Sequence, residues 1–253
     1  MAYKQGMMKI TKITNIASDV YEMVLSGEGA KYISAPGQFI NIKINDSLQP
    51  YLRRPMSISD YDDNTIVIVF KVVGKGTKIL KDKQIGDSLD CLIGLGNGFE
   101  VKPNKKALLI GGGLGTPPLY NLGKALKKQG IEVTTVLGFS SSKDVFYEDK
   151  FKEFSDQVYV ATNDGSYGET GTVIDVMKKY DLTFDDYYTC GPEVMLDALV
   201  EQYPTNGQLS FEARMGCGFG ACMGCSCKVK TKPYKRICVE GPVLLSEEVI
   251  VNG

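Results

Sequence analysis

Cys217, Cys222 and Cys225 are separated by four and two residues, Cys238 follows after twelve more, and Gly216, Gly218, Gly220 and Gly224 punctuate the same stretch. Neither a helix nor a strand runs readily through glycines at that density. The chain from Gln208 onward is therefore expected to form a small, loop-rich module shaped by its cysteines. The spacing matches the plant-type [2Fe–2S] loop, in which three thiolates lie close together and a fourth arrives from farther along. Three sulfurs must converge on one edge of a compact cluster, so the backbone must curl, and Gly218, Gly220 and Gly224 permit the dihedrals this needs. Cys238 then closes the second iron from another segment. A four-cysteine zinc site is the alternative, although such sites usually pair their cysteines as two similar short-spaced halves. Cys227, two residues beyond Cys225, is the rival ligand and reads as a bystander.

The 253-residue chain contains no histidine. That excludes Ser-His-Asp and Cys-His nucleophile systems, histidine-ligated zinc and haem, and Rieske clusters. Its chemistry has to come from other groups or from a bound cofactor. Lys plus Arg (29) nearly balance Asp plus Glu (30), so no basic field points to nucleic acid. No apolar run suits a signal peptide, and none approaches the roughly 18 residues of a membrane span. Seven cysteines, an odd number, then suit a cytoplasmic protein whose reduced thiols serve a metal.

Length and a 43% hydrophobic content allow a large core and more than one domain. From Lys9 to about Lys102 the pattern is strand-like. Ile40, Ile42 and Ile44 alternate with polar residues, Thr65 to Val73 is rich in β-branched residues, and Tyr21 to Leu25 and Ser88 to Ile93 are shorter candidates. Turn signals at Pro36-Gly37, Asp62-Asp63-Asn64 and Gly74-Lys75-Gly76 separate them. This predicts a small antiparallel barrel or sandwich over residues 1–102, with the barrel as the fold expected here. From Pro103 strands alternate with helices: Ala107 to Ile110, Val133 to Leu137, Val158 to Ala161 and Tyr187 to Thr189 are strands. Helical spacing marks Leu119/Leu122/Leu126, Val173/Met177/Tyr180 and Met195/Leu199/Tyr203. Such alternation predicts a parallel α/β domain over 103–207, leaving 208–253 as the cysteine module.

Three further motifs carry possible chemistry. Arg53-Arg54-Pro55-Met56-Ser57, expected at the end of a barrel strand, offers guanidinium groups that could clamp a pyrophosphate and a serine that could bond a cofactor ring. A solvated basic turn is the plainer reading. Gly111-Gly112-Gly113-Leu114-Gly115, between a strand and a helix, suits a phosphate through its backbone N–H groups, or is merely a tight turn. Thr116 stands where a Rossmann fingerprint would place its third glycine. Cys190-Gly191-Pro192 leaves a parallel strand and opens a helix, and without histidine its thiol lacks a base and reads as a lining group.

Taken in this order, the features resemble ferredoxin–NADP reductase-like flavoproteins across nearly the whole chain. The cysteine module, within Glu212-Ala213-Arg214-Met215-Gly216-Cys217 and followed by Glu240-Gly241-Pro242-Val243, is similar to that of the electron-transfer subunits of class 1B dihydroorotate dehydrogenase. The resemblance implies FAD held by Arg54, Pro55, Met56 and Ser57, by Val69, Phe70 and Lys71 on the following strand, and by Gly76 and Thr77 in the turn after it. It implies NAD at Gly112, Gly113 and Gly115 and at Cys190, Gly191 and Pro192. Cys217, Cys222, Cys225 and Cys238 would hold the [2Fe–2S] cluster. The implied partner is an FMN-containing catalytic subunit that oxidises dihydroorotate in pyrimidine biosynthesis, in a heterotetramer of two plus two. Met56 stands where the wider pattern often has a flavin-stacking tyrosine, and Lys71 where arginine is more usual. A related FAD/[2Fe–2S] subunit of a ferredoxin:NADP oxidoreductase or sulfide dehydrogenase, and a colourless zinc-stabilised binding protein, are the competing readings. Ser141, Ser142 and Lys143 could meet a 2′-phosphate, or form an ordinary polar loop.

Overall fold

A computed structural model describes residues 3–47 and 49–251, so the outermost ends of the first and last expected domains lie outside the described residues. The first half is a closed barrel of six strands: β1 (Lys4–Ala17), β2 (Val20–Ser26), β3 (Phe39–Lys43), β4 (Arg54–Tyr61), β5 (Thr65–Lys71) and β6 (Ser88–Leu95). Their order is β1-β2-β5-β4-β3-β6, every neighbouring pair is antiparallel, and β1 closes on β6. Inward-facing Ile10, Met23, Leu25, Ile58, Ile66 and Ile68 fill the interior, as expected for alternating β-branched segments. A short helix, α1 (Lys75–Lys81), follows β5.

The second half is a seven-stranded sheet. Its elements are β7 (Lys106–Gly112), α2 (Pro118–Lys128), β8 (Glu132–Phe139), α3 (Glu148–Lys152), β9 (Gln157–Thr162), β10 (Glu169–Thr170), α4 (Val173–Lys179), β11 (Asp186–Cys190), α5 (Glu193–Gln202) and β12 (Gly207–Ser210). Beyond these lie a two-stranded ribbon, β13 (Ser226–Cys227) with β14 (Lys235–Arg236), and the strand β15 (Val243–Leu245). The sheet order is β10-β9-β8-β7-β11-β12-β15, all parallel except β15. The strand sequence reverses between β7 and β11, and such a switch opens a crevice at the carboxyl ends of the strands. In α2, Leu119, Leu122 and Leu126 form the buried stripe, Pro118 occupies the first turn, and Lys127 and Lys128 sit at the carbonyl end. Among the described residues no helix is long and apolar enough to cross a membrane.

The two halves share apolar clusters, in which Val20, Val69 and Phe99 pack with Leu109, Leu119 and Tyr188, and polar contacts also cross between them. Asn121 Nδ2 and Lys124 Nζ donate to Asp60 at 2.6 and 2.8 Å, and Lys71 pairs with Asp144 at 3.3 Å.

Several local expectations are corrected. Arg54 to Ser57 begin strand β4 and do not end a strand, and Gly76 and Thr77 lie on α1, not in a turn. Gly111 and Gly112 complete β7, so the loop proper is only the 3-10 turn Gly113–Gly115. The alternation at Ile40 and Ile42 is not a one-sided burial pattern, because Asn41 between them is also fully buried. The expected boundary between 207 and 208 falls inside β12, and β15 returns from the cysteine module to pair with it.

Candidate cofactor sites

The barrel and the sheet enclose a cleft. Pro55, Met56 and Ser57 of β4, Val69, Phe70 and Lys71 of β5, and Thr77 of α1 line one side. These are seven of the nine residues expected around FAD. The other two, Arg54 and Gly76, pack on each other: a Cβ at Gly76 would lie 2.6 Å from Arg54 Nε, so the glycine makes room for the guanidinium. Arg54 Nη1 donates to the Leu52 carbonyl at 2.5 Å, and its Nε and Nη2 donate to no atom of the described residues. Phe70 is buried and stacks on Tyr21 at 5.9 Å, so what it offers the cleft is backbone. The Thr77 hydroxyl accepts from the N–H groups of Val73 and Gly74 at 3.0 and 3.2 Å and so caps the turn into α1.

Arg53 serves another purpose. From the residue before β4, its guanidinium donates to the carboxylate and carbonyl of Asp90 on β6, each at 2.7 Å. Burial alone would raise the Asp90 pKa, but Arg53 and Gln5 outweigh it and hold the carboxyl below its usual range. Of the two adjacent arginines, one staples the barrel and the other is available to a ligand.

The opposite side of the cleft was not anticipated. It consists of Leu114 and Pro117 from the sheet half and of Ser210 to Ala213 with Met215 from the run between β12 and the cysteine module. Glu212 is an exposed residue on this cleft, yet enough protein surrounds its carboxyl that desolvation raises its pKa. The available signal was position: this run lies immediately before Cys217.

At the switch between β7 and β11 the glycines have different tasks. A Cβ at Gly112 would meet Pro192 and Met195 at 2.8 Å, and one at Gly115 or Gly191 would strike the Cys190 carbonyl or the Met195 side chain. These glycines let two strand–helix turns pack together. Gly113, at φ +51°, has open space where a Cβ would stand, so it alone of the set combines ligand access with a backbone shape that favours glycine. Pro192 is the residue before α5, and Cys190 is buried, with its thiol pushed up to about 12 by burial and then by Glu212. Gly112, Gly113 and Pro192 also line a second cleft with Gly138, Asn163 and Met195 at the strand ends.

The four cysteines group as two pairs rather than as three and one. Cys225 Sγ lies 3.2 Å from Cys238 Sγ, and the Cys222 N–H points at Cys217 Sγ at 3.4 Å. Among the described residues no three Cys, Asp or Glu side chains form a shell for a single ion. Burial alone would raise the Cys217 thiol, but N–H groups of Cys222, Phe219 and Ala221 outweigh it and bring it down to about 6. Cys238 is pushed up to about 12 by burial and by Cys225 beside it. Two thiols this close ionise together only when a cation supplies the countercharge. A two-plus-two thiolate set suits a dinuclear centre, and the residues present fit a [2Fe–2S] group. Gly218 and Gly220 take φ of +81° and +91° as expected, whereas Met223, not Gly224, takes the third left-handed position at +60°. Cys227 sits on β13 opposite Lys235, half-buried against apolar neighbours, and burial raises its thiol. Glu240 clamps the segment that carries Cys238, held down to about 2 by Lys232 and by the Arg236 N–H.

Two family models and several known proteins match this chain. Residues 212–250 match the family model for the iron-sulfur cluster binding domain of dihydroorotate dehydrogenase B, and residues 109–201 match the oxidoreductase NAD-binding domain. The dihydroorotate dehydrogenase B (NAD(+)) electron transfer subunit of Fusobacterium nucleatum is 47% identical over 247 residues, covering 94% of this chain and 95% of that protein. That of Bacillus velezensis is 44% identical over 254 residues, covering 97% and 99%. A solved chain of an NADH-dependent reduced ferredoxin–NADP oxidoreductase superposes with a TM-score of 0.87 at 32% identity, covering 97% of this chain and 90% of that one. A ferredoxin NADP+ reductase of Neisseria gonorrhoeae, solved with FAD and NADP, shares the fold at a TM-score of 0.66 and 18% identity, covering 78% and 89%.

Proposed function

The chain belongs to the family of dihydroorotate dehydrogenase B (NAD(+)) electron transfer subunits, and on that premise we propose that it connects a dihydroorotate-oxidising catalytic subunit to NAD+. One observation carries the reading: the run Ser210 to Met215 supplies one side of the cleft, and Cys217 follows two residues later. A single short segment thus serves two cofactor seats. When bound, a [2Fe–2S] cluster exchanges single electrons, NAD takes a hydride, and FAD converts between the two.

The chain's own residues position these groups. Arg54 to Ser57 and Val69 to Lys71, with Gly76 and Thr77, hold FAD. Cys217, Cys222, Cys225 and Cys238 would hold the [2Fe–2S] cluster through their thiolates. The Gly113 turn receives a phosphate of NAD, while Gly112, Gly115, Cys190, Gly191 and Pro192 shape the two turns around it. This assigns residues 1–102 to FAD, 103–207 to NAD and 208–253 to the cluster, with β12 and β15 tying the last two together. No acid–base residue is assigned, since dihydroorotate oxidation belongs to the FMN of the partner. Two such partners and two of these subunits form the complex, in the cytoplasm, where the thiols stay reduced.

An anaerobic visible spectrum before and after adding NADH tests the reading. Flavin and iron–sulfur bands that bleach with NADH are expected, and a colourless, zinc-containing preparation would overturn it. Reduction by dihydroorotate only when the catalytic subunit is added would separate this function from that of a ferredoxin:NADP oxidoreductase subunit.

A further inference from the structure

We infer that Asn41 of the barrel wall is the positioning residue that seats the cluster loop beside the FAD cleft, an inference that rests on the function proposed above. Asn41 lies on β3, directly opposite Pro55 of β4, and none of its surface is exposed. Its neighbours Phe39, Ile40 and Ile42 are buried and apolar. An amide buried there is costly unless it is hydrogen-bonded. Its Nδ2 donates to the Cys217 carbonyl at 3.2 Å, across 176 positions of sequence, while its Oδ1 has no partner among the described residues. A half-satisfied amide is a poor choice for a barrel wall on stability grounds alone. The contact that accounts for it is the one to the loop.

The loop is shaped to match. Gly218, at φ +81°, packs so closely on Asn41 that a Cβ there would run into Nδ2. The Asn41 backbone is held in turn, because Arg53 donates to the Asn41 carbonyl at 3.5 Å while it pairs with Asp90. One strand pair therefore carries both halves of the arrangement. β4 presents Pro55, Met56 and Ser57 to the cleft, and β3 presents the amide that holds Cys217. The distance between the two seats is set by a rigid ladder and not by a loop alone. The amide N–H points at the Cys217 carbonyl, so an apolar replacement makes the surroundings of that ligand less polar, which disfavours the more negative, reduced form of an iron–sulfur group.

The test uses the full chain, purified anaerobically with FAD and cluster, as wild type, Asn41→Leu and Gly218→Ala, with Ile40→Val as a barrel control. Iron, sulfide and FAD per chain, iron loss to a chelator and the cluster midpoint potential are measured. Both variants should lose iron about tenfold faster, as expected for loss of an outer-shell contact. Asn41→Leu should lower the potential, FAD content should stay at the wild-type value, and Ile40→Val should change neither readout. Wild-type iron loss and potential in both variants, or equal changes in Ile40→Val, would overturn the inference while leaving the functional reading intact. A wild-type chain that takes up no iron and sulfide overturns both.

Discussion

The Tyr147 hydroxyl donates to Glu22 Oε2 at 2.5 Å across the seam between the barrel and the sheet. Lys150 Nζ reaches the same oxygen at 2.5 Å, and Ser59 Oγ donates to the Tyr147 hydroxyl at 3.3 Å. Burial alone would raise the Glu22 carboxyl, but Lys150 and Tyr147 hold it below its usual range. Burial and the adjacent carboxylate push the Tyr147 phenol upward. The tyrosine sits at φ +68°, a conformation that costs energy for a non-glycine residue unless its surroundings enforce it.

Tyr147→Phe should therefore destabilise the fold by about 2 kcal/mol, the range for a hydrogen bond to a charged group. Urea denaturation of the flavin-loaded chain checks this. An unchanged midpoint would mean that Lys150 alone secures Glu22.

The Arg53–Asp90 pair predicts a pH dependence. The folded pKa of Asp90 is lowered, so its contribution is present above the unfolded value of about 3.9 and is lost as pH falls through the lower folded value. Arg53→Met should cost about 2 kcal/mol at pH 7. Its difference from wild type should shrink below about pH 4. Melting temperature against pH reads both, and parallel curves down to acid pH would reject the assignment.

Arg54→Ala should weaken FAD retention about tenfold or more, as loss of a charge-assisted contact implies. Arg53→Met should leave FAD content unchanged. Flavin stoichiometry after gel filtration distinguishes them, and the reverse pattern would exchange the roles of the two arginines.

Cys222→Ser should abolish the cluster while FAD stays bound, whereas Cys227→Ser should keep full iron and sulfide. Chemical analysis of both decides it. Iron lost from the Cys227 variant would make that residue the better ligand.

The glycines at the sheet switch predict a contrast. Gly115→Ala drives a methyl against the Cys190 carbonyl and should cost about 1–3 kcal/mol through overpacking. Gly113→Ala meets no atom but keeps a positive φ, so it should cost about 1 kcal/mol and weaken NADH binding more than stability. Calorimetric titration with NADH, set beside thermal melts, compares them.

Much of this was legible in the sequence because it is local. The alternation at Ile40 and Ile42, the β-branched run from Thr65 and the shorter candidates located β3, β5, β2 and β6, and helical spacing located α2, α4 and α5, since residue preference and burial period are properties of the local segment. The five-residue α3 is too brief to show a period, and α1 is hidden because Gly74 and Gly76 at its start read as a turn. The burial of Asn41 was hidden for a different reason: its partner lies 176 residues away.

Residue types at short spacings determined which groups this protein can hold: four cysteines around a glycine-rich curl, a chain without histidine, and glycines at the turns of a βα unit. Only the tertiary structure decided how those groups are paired. It divided the sulfurs into Cys217 with Cys222 and Cys225 with Cys238, gave Arg53 to Asp90 and left Arg54 beside Gly76, and set the run after β12 against the barrel strands. Spacing limits which atoms one segment can bring together, whereas contacts between distant segments depend on how barrel and sheet close on each other, and that is settled by burial over the whole molecule.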